Sequence, residues 1–253
     1  MDKDTTERLL ALNRAFYAAF AQPFATSRTV ADPALVCILP YIPKRASVLD
    51  VGCGNGRLAQ LLDRERPGAS YVGIDAVPEL VHLARGRTRH LSAVSAEFQV
   101  VDIARPGWAR LQKSVSGRLM PGFDVVVALA VLHHIPGFDL RVRVLREISS
   151  LVKEGGRLIL STWQFLDSPR LRRKIVGWEW VHVDETALEP GDYLLDWKRG
   201  GRGLRYCHLV DQAEVELLAA RSGLRVQQTF RAGGREGNLS LFVILDRAAD
   251  QKA

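Results

Sequence analysis

The chain is predicted to fold as a single α/β domain around a mostly parallel sheet with helices on both faces. Three observations carry this. Apolar runs rich in β-branched residues at 47–51, 70–75, 97–101, 123–130 and 156–162 alternate with helical periodicities at 57–65, 78–86 and 138–151. The first run enters a glycine turn, Gly52 to Gly56, and a helix leaves it. The last two runs, 224–230 and 239–245, are joined by a short Gly-rich connection, Arg231 to Asn238, which reads as an antiparallel pair. Alternating strands and helices imply right-handed crossovers between parallel neighbours.

Before the first strand, Leu9, Leu12, Phe16, Ala19 and Phe20 recur at helical spacing and predict an amphipathic helix over 6–20. A second helix is predicted over 32–41, and the two form an N-terminal helical cap over 1–45. Residues 163–209 break the alternation. They are rich in Trp, Arg and Gly, show no long period, and emerge after the fifth strand as an insertion or lid. A helix over 211–221 precedes the closing strands. The 253 residues suit one domain. A chain of this size buries roughly 70–75% of its unfolded surface.

Composition excludes several classes. No apolar run approaches the length of a membrane span, and the polar start Met1-Asp-Lys-Asp-Thr-Thr lacks the pattern of a signal peptide. The three cysteines, Cys37, Cys53 and Cys207, are odd in number and far apart. They read as reduced thiols of a cytoplasmic protein rather than a disulfide framework or zinc site. The net charge of +7 permits a polyanionic partner without requiring one.

The richest stretch is Val48-Leu-Asp-Val-Gly-Cys-Gly-Asn-Gly-Arg-Leu58. Glycines let the backbone adopt φ > 0 and let a ligand approach the main chain. The N–H groups of the helix that follows face an anionic or polar ligand group. Asp75 ends the second strand, where an acid can accept hydrogen bonds from both ribose hydroxyls. A nucleoside-containing ligand is therefore expected. The spacing is G-x-G-x-G. A dinucleotide fingerprint needs a third glycine at position 57, which is Arg57. Asp50, two residues before the first glycine, would repel a pyrophosphate. S-adenosylmethionine has no phosphate, and it offers an ammonium for an acid to hold and a carboxylate for helix N–H groups. A nicotinamide or flavin dinucleotide, and a tight turn with no ligand, remain the alternatives at this point.

Five segments in order resemble the class I S-adenosylmethionine-dependent methyltransferases. Val48–Leu58 resembles motif I and Tyr71-Val-Gly-Ile-Asp75 motif II, with its ribose acid. Val100-Val-Asp-Ile103 resembles the segment that lies on the adenine. Phe123–His134 resembles motif IV, and Leu151–Leu160 the turn of motif V. The resemblance implies a Rossmann-like, mostly parallel seven-stranded sheet with an antiparallel last strand. It implies S-adenosyl-L-methionine as cofactor. The implied cofactor residues are Arg28, Asp50, Gly52, Cys53, Gly54, Asn55, Gly56, Asp75, Ala76, Asp102, Ile103 and Ala128.

A finer resemblance runs through the insertion. Arg205-Tyr-Cys-His208, preceded by Asp192-Tyr-Leu-Leu-Asp-Trp-Lys198, is similar to the R-Y-Y-H and D-x-x-x-P-W-K segments of tRNA wobble-uridine carboxymethyl methyltransferases. Phe16–Arg28 and Ala128–Ile135 are similar to further stretches of that family. The chain departs from it at Cys207 (Tyr in the family), Asp196 (Pro) and Leu239 (Trp). The resemblance implies esterification of a carboxymethyl group, with tRNA as partner and a small activator protein beside it. A carboxylate acceptor is already ionised and needs a clamp rather than a base. Arg205 is the candidate clamp, with Tyr206 and His208 adding hydrogen bonds. A hydroxyl or carbon acceptor would want a base, for which His133, His134 and His208 are candidates.

The insertion itself holds Trp163, Trp178, Trp180, Tyr193, Trp197 and Tyr206, interleaved with Arg170, Arg172, Arg173, Lys174, Lys198, Arg199, Arg202 and Arg205. Aromatics stack on bases and cations neutralise phosphates, which suits single-stranded RNA. A lid core with a solvated basic face gives the same composition. No spacing characteristic of a metal-ligand motif is present, and none is expected to be used. Two other readings stand beside the RNA enzyme: a small-molecule O- or C-methyltransferase, and a non-catalytic cofactor-binding subunit.

Overall fold

The computed structural model describes residues 1–28, 32–112 and 122–247. A seven-stranded sheet forms its centre, built from β1 (Ser47–Val51), β2 (Ser70–Asp75), β3 (Ser95–Val100), β4 (Phe123–Leu129), β5 (Val152–Trp163), β9 (Leu224–Ala232) and β10 (Ser240–Arg247). The order is β3-β2-β1-β4-β5-β10-β9, with β10 antiparallel to both of its neighbours and the β3-to-β5 strands parallel. This is the sheet the sequence predicts. The central strands read as continuous apolar runs because both faces are covered. Val48, Leu49, Val51, Val125, Val126, Val127, Leu158, Ile159 and Leu160 are all buried without trace of exposure.

One face is covered by α7 (Phe138–Ser149) and α9 (Gln212–Arg221) and the other by α4 (Arg57–Glu65). The helix α5 (Pro78–Arg87) follows β2. A short α6 (Trp108–Gln112), which the sequence reading left out, lies between β3 and β4. At the N-terminus α1 (Lys3–Ala19) is capped by Asp2, whose carboxylate accepts from the Thr5 amide at 2.7 Å. The predicted helix over 32–41 is not continuous. It divides into α3 (Pro33–Val36) and a 3₁₀ turn at Leu39–Tyr41, because Pro40 cannot donate into a continuing helix. Between α1 and α3 lies α2 (Ala21–Thr26), and residues 29–31 of the predicted cap fall outside the described chain. No helix among the described residues is long and apolar enough to cross a membrane.

The insertion is more ordered than its sequence suggests. After α8 (Pro169–Arg172) come β6 (Ile175–Val176), β7 (Asp192–Trp197) and β8 (Gly203–His208), which form a three-stranded antiparallel sheet. The first helix, α1, packs across this small sheet, with Leu9, Trp178, Leu194 and Tyr206 in a shared apolar cluster. A second cluster, Trp163, Phe165, Leu171, Leu195 and Cys207, joins the small sheet to the end of β5. Cap and insertion thus form one layer over the rim of the large sheet.

A buried ion network holds that layer in place. The Arg141 side chain is 1% exposed and reaches Glu189 and Glu214 at 2.8 Å each. It also donates to the Ile135 carbonyl at 3.0 Å and faces His208 Nε2 at 3.2 Å. His208 bonds Asp192 at 2.6 Å and Glu214 at 2.8 Å. Burial works against a charge on His208, but these two carboxylates outweigh it and raise its pKa above the usual histidine value. Removing one member of such a network leaves buried charge uncompensated. Arg141→Ala is expected to destabilise the protein by about 3–5 kcal/mol in a denaturant titration. His208 stabilises the fold while its native form binds a proton more tightly than the unfolded chain. That contribution is complete below about pH 6.5 and is lost as pH rises through the raised native value. The melting-temperature gap between wild type and His208→Asn should therefore be wider at pH 6 than at pH 9.

Candidate functional site

Parallel α/β sheets place ligands beyond the carboxyl ends of their strands. A cavity of about 190 Å³ lies there, against the ends of β1, β2 and β4. Of the residues expected at a cofactor, Arg28, Gly52, Cys53, Gly54, Asn55, Asp75, Ala76, Asp102 and Ile103 line it. Gly52 sits at φ +73°, and a Cβ there would fall 2.5 Å from a Val131 methyl, so only glycine fits. The loop's amides are largely used within the protein. Gly52 and Cys53 donate to the Ile74 carbonyl, Gly56 to Cys53, and Gly54 to the Asp75 carboxylate at 2.9 Å. The loop therefore shapes the cavity more than it offers donors.

Asp75 is fixed by the Gly54 and Val77 amides, at 2.9 and 3.0 Å, one on each carboxylate oxygen. Burial outweighs those donors and pushes its pKa up to about 6. Further along, Asp102 accepts from Ala104 and pairs with Arg14 at 3.3 Å, beside the apolar wall of Leu80, Val101 and Ile103. A polar strand-end acid and an adjoining apolar slot suit a ribose and an adenine.

Three expected residues do not line this cavity. Asp50 is 5% exposed and its carboxylate accepts the Tyr71 hydroxyl at 2.7 Å, so it is engaged beneath the loop and does not reach a ligand ammonium. Burial pushes its pKa up to about 7. Gly56, at φ +75°, is the residue from which α4 starts, and a Cβ on it would press on Ala84 and the Phe98 ring. Ala128 is wholly buried within β4. The rim is reached later, at Leu129, Ala130 and Val131. Ala130 adopts φ +58°, a strained conformation for a non-glycine residue that bends the chain into the site.

A second cavity, about 560 Å³, adjoins the first. The two share Arg28, Arg57, Leu129, Ala130 and Trp163. Its wall holds seven cations: Arg28, Arg57, Arg170, Lys174, Lys198, Arg199 and Arg205. Its one acid among the described residues, Asp32, is paired with Arg57 at 3.2 Å. Arg205 is 4% exposed. Its guanidinium lies 4.6 Å from the Trp163 ring, 5.4 Å from Phe16 and 5.5 Å from Trp197. It donates to the Tyr17 hydroxyl at 3.4 Å, its Nε has no hydrogen-bond partner, and among the described residues it pairs with no carboxylate. Arg28, between the cavities, lies over Phe24 at 4.9 Å and Trp163 at 5.6 Å. Burial, and then the charge of Arg57, push its pKa down to about 10.

The other two expected acceptor residues belong elsewhere. Successive side chains of a strand face opposite sides, so Arg205 and Cys207 share one face of β8 and Tyr206 and His208 the other. Tyr206 is wholly buried and donates its hydroxyl to Asp192 at 2.7 Å. His208 is part of the Arg141 network. Neither lines either cavity, so neither adds a hydrogen bond beside Arg205. The insertion's tryptophans also divide: Trp178 is core, Trp180 is half exposed with Arg202 stacked at 4.3 Å, and Trp163 and Trp197 line the second cavity.

His133 and His134 diverge as neighbours must. His133 has no exposed surface, stacks on Trp163 and accepts the Trp163 amide at 3.4 Å. His134 lines the first cavity, where its Nε2 accepts from Tyr17 at 2.8 Å and its Nδ1 donates to the Tyr206 carbonyl at 3.1 Å. Burial and the nearby Arg205 push His134 down to about 3. It is therefore a neutral hydrogen-bonding group and a weak base. In the sequence reading Tyr17 has no role and Trp163 only a share in base stacking. Their only signal was an aromatic on the first helix and another closing the fifth strand.

Comparison with known proteins agrees with this geometry. The most similar curated relatives include ubiquinone biosynthesis O-methyltransferases of Xanthomonas. One, from Xanthomonas axonopodis pv. citri, is 34% identical over 120 residues, covering 47% of this chain and 44% of the relative. Another, from Xanthomonas campestris pv. campestris, is 34% identical over 129 residues, covering 49% and 48%. The match thus spans less than half the length of these relatives. Among solved structures, a SAM-dependent methyltransferase from Methanosarcina mazei superposes with a TM-score of 0.63 at 24% identity, covering 83% of this chain and 96% of that one. Magnesium protoporphyrin IX methyltransferase from Synechocystis, crystallised with bound SAM, gives 0.51 at 19% identity, covering 92% and 81%. These likenesses show the Rossmann-like fold of S-adenosylmethionine-dependent methyltransferases. The family profile described as a methyltransferase domain matches residues 24–229, and the chain belongs to that family.

Proposed function

We propose that this methyltransferase esterifies a carboxylate, and that the acceptor is the carboxymethyl group of a wobble uridine in tRNA. The observation that carries the reading is Arg205, a buried guanidinium in the wall of the second cavity with no carboxylate partner among the described residues. A fork of N–H donors suits a carboxylate, and charge-assisted hydrogen bonds hold it in place. The cofactor, when bound, supplies an electrophilic methyl group on a sulfonium sulfur. The protein's part is then proximity and alignment, which supply much of the acceleration of such a displacement. Arg205 grips the acceptor, Trp163 and Trp197 offer stacking faces, and Arg170, Lys174, Lys198 and Arg199 line the way in with positive charge. Stacking contributes about 1–3 kcal/mol per base. No base is needed for a group already ionised at neutral pH.

Methylation of a small-molecule hydroxyl is the second reading, favoured by the names of the 34%-identical relatives. It asks for a base, and the histidine nearest the cofactor cavity, His134, is held near a pKa of 3 and already accepts from Tyr17.

Bulk tRNA incubated with methyl-labelled S-adenosylmethionine is expected to yield a labelled 5-substituted uridine on nucleoside digestion, with the label released by mild alkali as from an ester. Absence of label from every tRNA pool, with transfer to a quinol hydroxyl instead, selects the second reading. Arg205→Ala should slow transfer to the carboxylate by about 10- to 150-fold, the loss of about 1.5–3 kcal/mol of charged hydrogen bonding, and leave unchanged the dissociation constant of the product S-adenosylhomocysteine, which has no sulfonium charge. Asp75→Ala should do the reverse, weakening cofactor binding by a similar factor in calorimetry. Because the Asp75 carboxylate protonates near pH 6, cofactor affinity in the wild type should fall as pH drops through 6, and Asp75→Ala should lose that dependence.

A further inference from the structure

Tyr17 stands where the two cavities meet. It lines the cofactor cavity, and its hydroxyl is within reach of Arg205, which lines the other. The direction of that hydroxyl is determined. The Tyr206 carbonyl can only accept, so His134 Nδ1, 3.1 Å away, carries the ring hydrogen. His134 is neutral, so its Nε2 is bare and must accept from the Tyr17 O–H at 2.8 Å. Arg205 Nη1 donates to the same oxygen at 3.4 Å. With its hydrogen directed at His134 and one lone pair taken by Arg205, the Tyr17 oxygen has one lone pair left for a ligand of the cavity its side chain lines.

Its surroundings give that orientation a consequence. Arg28 and Arg205 both lie over Trp163, beside Tyr17, so this end of the cofactor cavity is positive. A cationic sulfonium is repelled there unless some group offers it electron density. We propose that the Tyr17 oxygen is that group: it accepts weak C–H hydrogen bonds from the polarised methyl on sulfur and so distinguishes S-adenosylmethionine from its demethylated product. His134 is the positioning residue that holds that lone pair outward. A purely packing role for Tyr17, between Phe16 and Phe24 at ring distances of 5.0 and 5.2 Å, predicts no such discrimination.

Calorimetry with S-adenosylmethionine and S-adenosylhomocysteine separates the two, without any acceptor and so independently of the carboxylate reading. Tyr17→Phe keeps the ring and its contacts. It should weaken S-adenosylmethionine about two- to fivefold and leave S-adenosylhomocysteine unchanged. His134→Ala frees the hydroxyl to turn its hydrogen into the cavity and should narrow the preference between the two ligands in the same direction. The proposal is overturned if Tyr17→Phe weakens both ligands by one factor, or weakens neither. It is equally overturned if His134→Ala binds both ligands with the wild-type ratio.

Discussion

The arrangement of the site depends on one buried cation. Arg141 lies on α7, beneath the large sheet, yet its guanidinium is neutralised by Glu189 from the insertion and Glu214 from α9. Through Glu214 it also fixes His208, whose other ring nitrogen is held by Asp192, at the end of β8. A buried ion cluster is weak evidence for net stability but strong evidence for a unique arrangement, since any displacement leaves a charge uncompensated in a low-dielectric interior. Here the arrangement it specifies is the seating of the small sheet over the carboxyl edge of the large one. Three residues along β8 from that anchor, and on the opposite face of the strand, is Arg205. The anchor and the clamp are two sides of one strand.

That alternation explains which parts of the site were legible in the sequence. The large sheet was, because strands buried on both faces must be apolar throughout, and because the glycine turn and Asp75 announce a nucleoside site by local chemistry alone. The small sheet was not. Its strands are two and six residues long and mix Trp, Asp and Arg, so no period of two stands out. The segment Arg205–His208 reads as one functional cluster in one dimension, whereas the pleat sends Tyr206 and His208 into the ion network and leaves Arg205 with Cys207. Arg141 was equally hidden. An arginine on an amphipathic helix reads as solvent-facing, and its acidic partners are 48 and 73 residues away. Asp50 shows the opposite case: its position in the motif suits a ligand, and in the fold its Oδ2 accepts the Tyr71 hydroxyl beneath the loop.

The two cavities differ in charge: Arg14, Arg28 and Arg57 line the first beside its acids, and the seam to the second is made of aromatic rings. On the cofactor side Asp75 and Asp102 are the acids. On the other side cations outnumber the single, already paired, Asp32. Trp163 forms part of both walls, with Arg28 and Arg205 over its ring. A flat apolar surface there excludes water while its electron-rich face tolerates the cations beside it. Unlike charges in a shared, partly desolvated space attract more strongly than in water. An anion entering from the second cavity would therefore be drawn to the seam.

His134 must be neutral for that seam to function. A protonated imidazole there would add a third positive charge beside Arg28 and Arg205 and would repel a sulfonium. The structure prevents it by burial and by those same arginines, which hold the ring near a pKa of 3. The suppression has a chemical corollary. A histidine held neutral so firmly is poorly matched to proton abstraction near pH 7, where an effective general base has a pKa close to the working pH. The electrostatics that keep this ring neutral thus remove the nearest base from use, which is a ground for the proposal that the acceptor arrives already ionised.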